Sequence, residues 1–374
     1  MRADGCTDQE LRLEVTGKRQ RLIGFMKNTN VDALLLSRHE NIAWLTAGLA
    51  DVRVGILRES GPASLLLTAD NRVFYLTTQN EAQRLAEEEF ALLDFTPVVR
   101  PVFGGDIAAQ VTEVAGNARV GTDMPLAQFA AVSPQPLRYE LTTSEIKRYR
   151  WASRQVADIV TGLLLELRPG ISERAMQAVL AERLLRIGIL PSVYLTAVDD
   201  RILRYKHAVP RDGVLARFAM LGVCARYGGL VVAMTRFAHI GEMPTQLRDH
   251  FAVVSDINAR LQAATQPGAS SAALYEVARS AYAEAGHAEE VTHHHQGGAT
   301  GYMEREWFAQ PGGTEIVGNA QAFAWNPNLH GAKAEDTVLL HDGKLEVLTA
   351  TPELPSVDIS LNGISYRSAG VLIV

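Results

Sequence analysis

The sequence predicts an α+β protein in two parts: a small α/β domain over residues 1–140 and a larger two-layer domain over residues 141–374 that contains an internal duplication. Three features carry that expectation. Short β-favouring runs between turn residues occupy the early part of the chain, a capping box opens a long helix at residue 142, and a twenty-residue pattern recurs in the second half. With 374 residues, 47% of them hydrophobic and 21% charged, the chain is long enough for two substantial cores.

In chain order, a basic helical stretch over residues 8–28 leads into the β-favouring runs Val31–Ser37, Ala63–Leu67 and Val73–Leu76. Further short elements, "ARVGTD" among them, follow until "LTTSEIKRYRWASRQVADIVTGLLLEL". There Thr142 and Glu145 have capping-box spacing, and Ile146, Tyr149, Ala152, Val156, Ile159, Val160 and Leu163 recur at helical period. Next, "PGISERAMQAVLAERLLRIG" (169–188) and "PGASSAALYEVARSAYAEAG" (267–286) agree at Pro, Gly, Ser, Ala, Val and the closing Gly, at a constant offset of 98 residues. Ile159 with Ile257 and Leu163 with Leu261 extend the register upstream. Each copy precedes a β-rich stretch, 214–237 and 319–349, so two similar halves sharing a sheet would put a site on their pseudo-symmetry axis.

Bulk properties exclude several partners. A net charge of −6 and scattered basic residues leave no footprint for nucleic acid. No basic and apolar leader opens the sequence and no run of 18 apolar residues follows, which predicts a soluble protein with no membrane partner. Cys6 and Cys224 fall in different expected domains; that argues against a disulfide framework and makes the cytoplasm the expected compartment.

The densest chemistry lies in "HHHQGGATGYMERE", residues 293–306. On an extended strand His293 and His295 would share one face and His294 the other. A zinc or copper site built on two of them would need a third and a fourth ligand, so the expected role is hydrogen-bonding histidines lining a pocket.

Several segments in order resemble the creatinase and aminopeptidase P group of the M24 family: "SRHENIAWLTAG" (37–48), "TTSEIKRYRWAS" (142–153), "KHAVP" (206–210), "AEDTVLL" (334–340) and "LEVLT" (345–349). The resemblance covers nearly the whole chain. It implies a duplicated pita-bread catalytic domain behind a creatinase-like N-terminal domain, and a homodimer. The family's metallopeptidases hold two metal ions with two aspartates, a histidine and two glutamates. At those places this sequence has Gly222 and Ala233 in "GVCARYGGLVVAMTR", Gly298 in "GGATG", Asn326 in "FAWNPNL" and, as the one survivor, Glu335 in "AEDT". Hard dications need several carboxylate oxygens, so neither metal nor any other cofactor is expected.

Creatinase itself keeps this fold without metal and hydrolyses a C–N bond with a histidine as acid and base. The resemblance places His207 at that position, and an imidazole titrates in the useful range. Glu306, ending a creatinase-like "RE", and Glu335 are expected beside it as acceptors or a second base, with Arg305 available to pair Glu306. Creatinase's two guanidinium-binding glutamates correspond to Thr235 and Asn326, so creatine is not the expected substrate. Arg53, His294, His295, Asn326, Trp325 and Lys333 are the expected substrate-binding residues, Trp325 as an apolar wall, with Gln296 a further candidate. The expected function is metal-independent cleavage, chiefly hydrolysis, of a C–N bond in a small carboxylate-bearing amide or amino-acid derivative. The alternatives are a non-catalytic pita-bread scaffold and a residual Xaa-Pro metallopeptidase using other ligands.

Overall fold

The structure, a computed structural model, describes residues 2–374. It forms two compact units, Met1–Arg148 with Gly228–Leu230, and Tyr149–Tyr227 with Val231–Val374.

In the first unit the helix Asp8–Asn28 starts from a capping box, the Thr7 side chain accepting from Glu10 N and the Glu10 carboxylate from Thr7 N. The three predicted runs become the strands Ala33–Arg38, Ser60–Thr68 and Val73–Thr78, paired antiparallel at the centre of a six-stranded sheet. Leu35, Leu66, Phe74, Val111 and Val120 pack its core. Beside it lies a buried charge cluster. Lys18 Nζ meets Glu14 at 2.5 Å, Glu145 at 2.6 Å and the Trp44 carbonyl at 2.8 Å, and Arg148 holds both oxygens of Glu14.

In the second unit the sequence duplication extends to the backbone. The helices Glu173–Leu185 and Ser271–Glu284 start from Ser172 and Ser270, which cap Ala175 N and Ala273 N. Gly170 N donates to Leu215 O and Gly268 N to Val317 O, both at 2.9 Å. Each helix leads into a sheet. One contains Leu190–Val198, Phe218–Tyr227, Leu230–His239 and Val371–Ile373; the other contains Trp307–Phe308, Gly297–Thr300, Gln321–Trp325, Asp336–His341 and Lys344–Val347. The sheets meet where Val231 N donates to Gly301 O at 2.8 Å and Thr235 N to Glu335 O at 3.2 Å. Leu190–Val198 was not predicted as a strand: Pro191 and a register shift between Pro191 and Val193 interrupt the alternation that would have revealed it. The C-terminal strand pairs parallel with Leu230–His239. No helix among the described residues is long and apolar enough to cross a membrane.

Candidate active site

The meeting of the two sheets places Glu335. A hairpin pairing Asn328–Leu329 with Ala332–Lys333 delivers Lys333, and Glu335 follows two residues later on the same side of extended chain. Lys333 Nζ therefore sits 2.7 Å from Glu335 Oε2. Thr235 Oγ1 donates to that oxygen at 2.5 Å, and Arg305 Nη2 lies 3.4 Å from Oε1. All four side chains are buried or nearly so. Burial alone would raise the Glu335 pKa, but the Lys333 and Arg305 cations and the two donors outweigh it and hold it at about 2. Two cations around one carboxylate leave one positive charge in excess.

This arrangement does not fit the two-metal centre of the resembling peptidases. A Cβ on Gly298 would lie 2.0 Å from Trp307 O and 2.8 Å from Phe308 Cα, which closes the histidine position with backbone. A Cβ on Gly222 would lie 3.1 Å from both Thr235 Oγ1 and Leu195 Cβ. Ala233 offers no donor atom, and Glu335, the one carboxylate left, is already neutralised by protein cations.

The histidines form a second cluster. His207 lies in the loop after the helix Asp200–Arg204, and His294 and His295 precede the strand Gly297–Thr300. Lys206 Nζ on Glu290 Oε2 at 2.7 Å ties one segment to the other. His207 Nε2 and His294 Nε2 then stand 2.8 Å apart, and His294 Nδ1 is 2.6 Å from the His295 carbonyl. A carbonyl only accepts, so His294 Nδ1 carries a proton. Its Nε2, unprotonated in the neutral ring, accepts from His207 Nε2–H. In a neutral His207 the remaining lone pair is on Nδ1, and the residue is exposed. Although the residue as a whole is exposed, its ring is partly shielded from water by its neighbours; that desolvation, then the Lys333 cation, lowers the His207 pKa, with Arg305 adding to this and Glu335 opposing it. Burial and neighbouring positive groups push His294 to about 3 and His295 to about 4. All three are therefore neutral at neutral pH.

Other predicted site residues have structural occupations. Trp325 does not wall a pocket: it is 1% exposed, its indole N–H donates to Thr265 Oγ1 at 3.1 Å, and its ring stacks on Phe323. Strand alternation sends it to the helix side, away from the face of Ala324 and Asn326. Glu306 is buried and accepts from Tyr302 N at 2.9 Å, which shapes the turn that carries Arg305, while Arg305 itself engages Glu335. Arg53 belongs to the first unit, where Asp51 takes its Nε at 2.9 Å and its Nη2 at 2.7 Å. Gln296 spends its amide N–H groups on the Val291 and His294 carbonyls. Asn326 is buried with Oδ1 unpartnered. Arg236 braces the sheet through Asp336 and the Thr349 carbonyl, each at 2.6 Å. Sequence reasoning missed Glu290, which meets Lys206, His293 and His330. The acidic pair "EE" before the histidines was the only signal for it.

A duplicated α+β domain that follows a smaller α/β domain in the sequence, with a buried polar cluster where its own two sheets meet, defines the pita-bread class with a creatinase-like N-terminal domain. The chain belongs to metallopeptidase family M24: that family's signature matches residues 147–342, and that of the creatinase/prolidase N-terminal domain matches residues 18–184. Among solved structures, the prolidase of Pyrococcus horikoshii is similar at a TM-score of 0.75 and 18% identity, over 90% of this chain and 98% of that one. Dipeptidase PepE of Mycobacterium ulcerans has a TM-score of 0.75 and 17% identity, over 97% and 99%. The N-terminal domain of the FACT complex subunit SPT16 from chickpea has a TM-score of 0.64 and 14% identity, over 90% and 97%. No curated protein gives a significant sequence match.

Proposed function

We propose that the chain is a metal-independent hydrolase that cleaves a C–N bond in a small carboxylate-bearing amide or amino-acid derivative, acting as a cytoplasmic homodimer. Membership of a peptidase family supports hydrolysis. The observation that carries the reading is the His207–His294 pair: His294, locked in one tautomer by the His295 carbonyl, orients His207 and leaves Nδ1 as the base. His207 Nδ1 takes a proton from water as the oxygen attacks the electrophilic carbon. The resulting imidazolium keeps its Nε2–H bond to His294 and returns the Nδ1 proton to the departing nitrogen. The surplus positive charge of Lys333 and Arg305 suits a substrate carboxylate. Glu335, held near pKa 2, is a poor base at neutral pH and instead positions these cations, as Glu306 positions the turn bearing Arg305. Arg53 is left out because Asp51 occupies it.

The test is a thermal-shift screen of chelator-treated protein against small carboxylates, N-acyl amino acids, guanidino acids, lactams and Xaa-Pro dipeptides, with turnover measured on the hits. His207→Ala should lower kcat about a hundredfold to ten-thousandfold with the fold intact. Unchanged turnover in that variant, or turnover that vanishes on metal removal, sinks the reading. A flat panel moves it to a non-catalytic binding protein.

A further inference from the structure

Beyond the proposed hydrolysis, His207, His294 and His295 present one ring nitrogen each, all within 4.8 Å of one another. We infer that these three imidazoles form a site for a borderline transition ion, Zn2+ foremost, made of ligands other than the carboxylate positions around Glu335.

Three observations support it. The donor set is all nitrogen, which suits zinc, copper or nickel and gives magnesium or manganese nothing to prefer. His294 Nδ1–H already donates to a backbone carbonyl at 2.6 Å, the support that aims a ligating histidine's other nitrogen at a metal. The spacing needs rearrangement in both directions: the nitrogens lie within 4.8 Å of one another, so the widest pair must close while the tightest opens. Nitrogens about 2.0–2.1 Å from a tetrahedral ion stand about 3.3 Å apart, so the 2.8 Å between His207 and His294 must open by about half an ångström. His207 is on an exposed loop and can supply that movement, and its exposed side leaves a fourth position for water. His207 Nε2 must hand its proton to Nδ1, a tautomer change open to an exposed imidazole.

One feature opposes the ion. Lys333 and Arg305 are near enough to act electrostatically on His207 and His295, and Glu335 offsets only one of them. Their repulsion weakens the site without removing it, and gives it a signature that an adventitious surface histidine lacks. A bound ion would also remove the base of the proposed hydrolysis: it takes the His294 Nε2 lone pair, and the proton moved onto His207 Nδ1 occupies the lone pair that the reaction uses. That consequence rests on the functional reading, but the site does not.

The experiment is a titration of the metal-stripped full-length protein with Zn2+ in competition with a chromophoric chelator, followed by Co2+ absorption as a reporter of four-coordinate geometry. One equivalent should bind, at least tenfold more weakly in His207→Ala and His295→Gln, and more tightly in Lys333→Met, while excess Mg2+ does not compete. No saturable equivalent in the wild type, or equal affinity in His207→Ala, overturns the site. His207 is on an exposed loop, so that variant decides the matter even if a change at His294 or His295 impairs folding. No turnover is measured, so a failed hydrolase assignment and a failed zinc site remain separate results.

Discussion

Glu335 keeps its charge in a setting that would ordinarily remove it, because Lys333, Thr235 and Arg305 all donate to it or face it. The dependence is mutual: Lys333 is 8% exposed and the Arg305 side chain 6%, so without the carboxylate both cations face a neutral interior. Glu335→Gln should therefore cost about 3–5 kcal/mol in urea unfolding, the range for breaking a buried pair from one side. Lys333→Met combined with Glu335→Gln should recover part of that loss, because one stranded charge goes with it. A single-variant loss below about 1 kcal/mol would show the cluster to be solvated and the account wrong. In the proposed hydrolysis the same cation bears on the base. Lys333 lowers the His207 pKa, so the acid limb of turnover, where a protonated His207 can no longer act as base, should lie below pH 6.5. Lys333→Met should move that limb upward in a pH–rate profile, and an unmoved or lowered limb would remove His207 as the titrating group.

At the scale of elements, the strand Trp307–Phe308 fills the space beside Gly298, the place that the resemblance assigns to a histidine. Gly298→His should not restore a ligand. Its Cβ meets the Trp307 carbonyl, so the strands must part, and the variant should lose roughly 1–3 kcal/mol and gain no manganese affinity by calorimetry. A stable, manganese-binding variant would show that the strand yields easily. Much at this scale was legible because it is local: the Thr142–Glu145 capping box forms as spaced, with Thr142 N on Glu145 Oε2 at 2.7 Å, and both serine caps of the duplication form. What stayed hidden was long-range. Periodicity cannot show that Lys206 reaches Glu290 and so brings His207 onto His294, nor that Trp325 faces the helices while its neighbour Asn326 does not. The run "HHH" pointed to His294 and His295 and the resemblance to His207, and the His294 tautomer emerged only once the His295 carbonyl was in place.

For the molecule as a whole, these buried and half-buried groups make acid the natural denaturant, in two stages of fixed sign. His294 and His295 have folded pKa values of about 3 and about 4, against 6.5 for a free imidazole. Below pH 6.5 the unfolded chain binds protons that the folded chain refuses, so stability falls as pH drops through that region. Glu14 and Glu335 are each held at about 2, against 4.5 when free. In both, burial is outweighed by paired cations, Lys18 and Arg148 for the first, Lys333 and Arg305 for the second. Their contribution is complete above 4.5 and disappears as pH falls toward 2, again because the unfolded state takes up the proton first. The midpoint of urea unfolding should thus decline from pH 6.5 downward and steepen below 4.5. Replacing both histidines, His294→Gln with His295→Gln, should flatten the upper stage and leave the lower one in place. A midpoint that is constant between pH 7 and 5 in the native chain would mean the two imidazoles are solvated, and with that the fixed His294 tautomer on which the proposed base depends would fall as well.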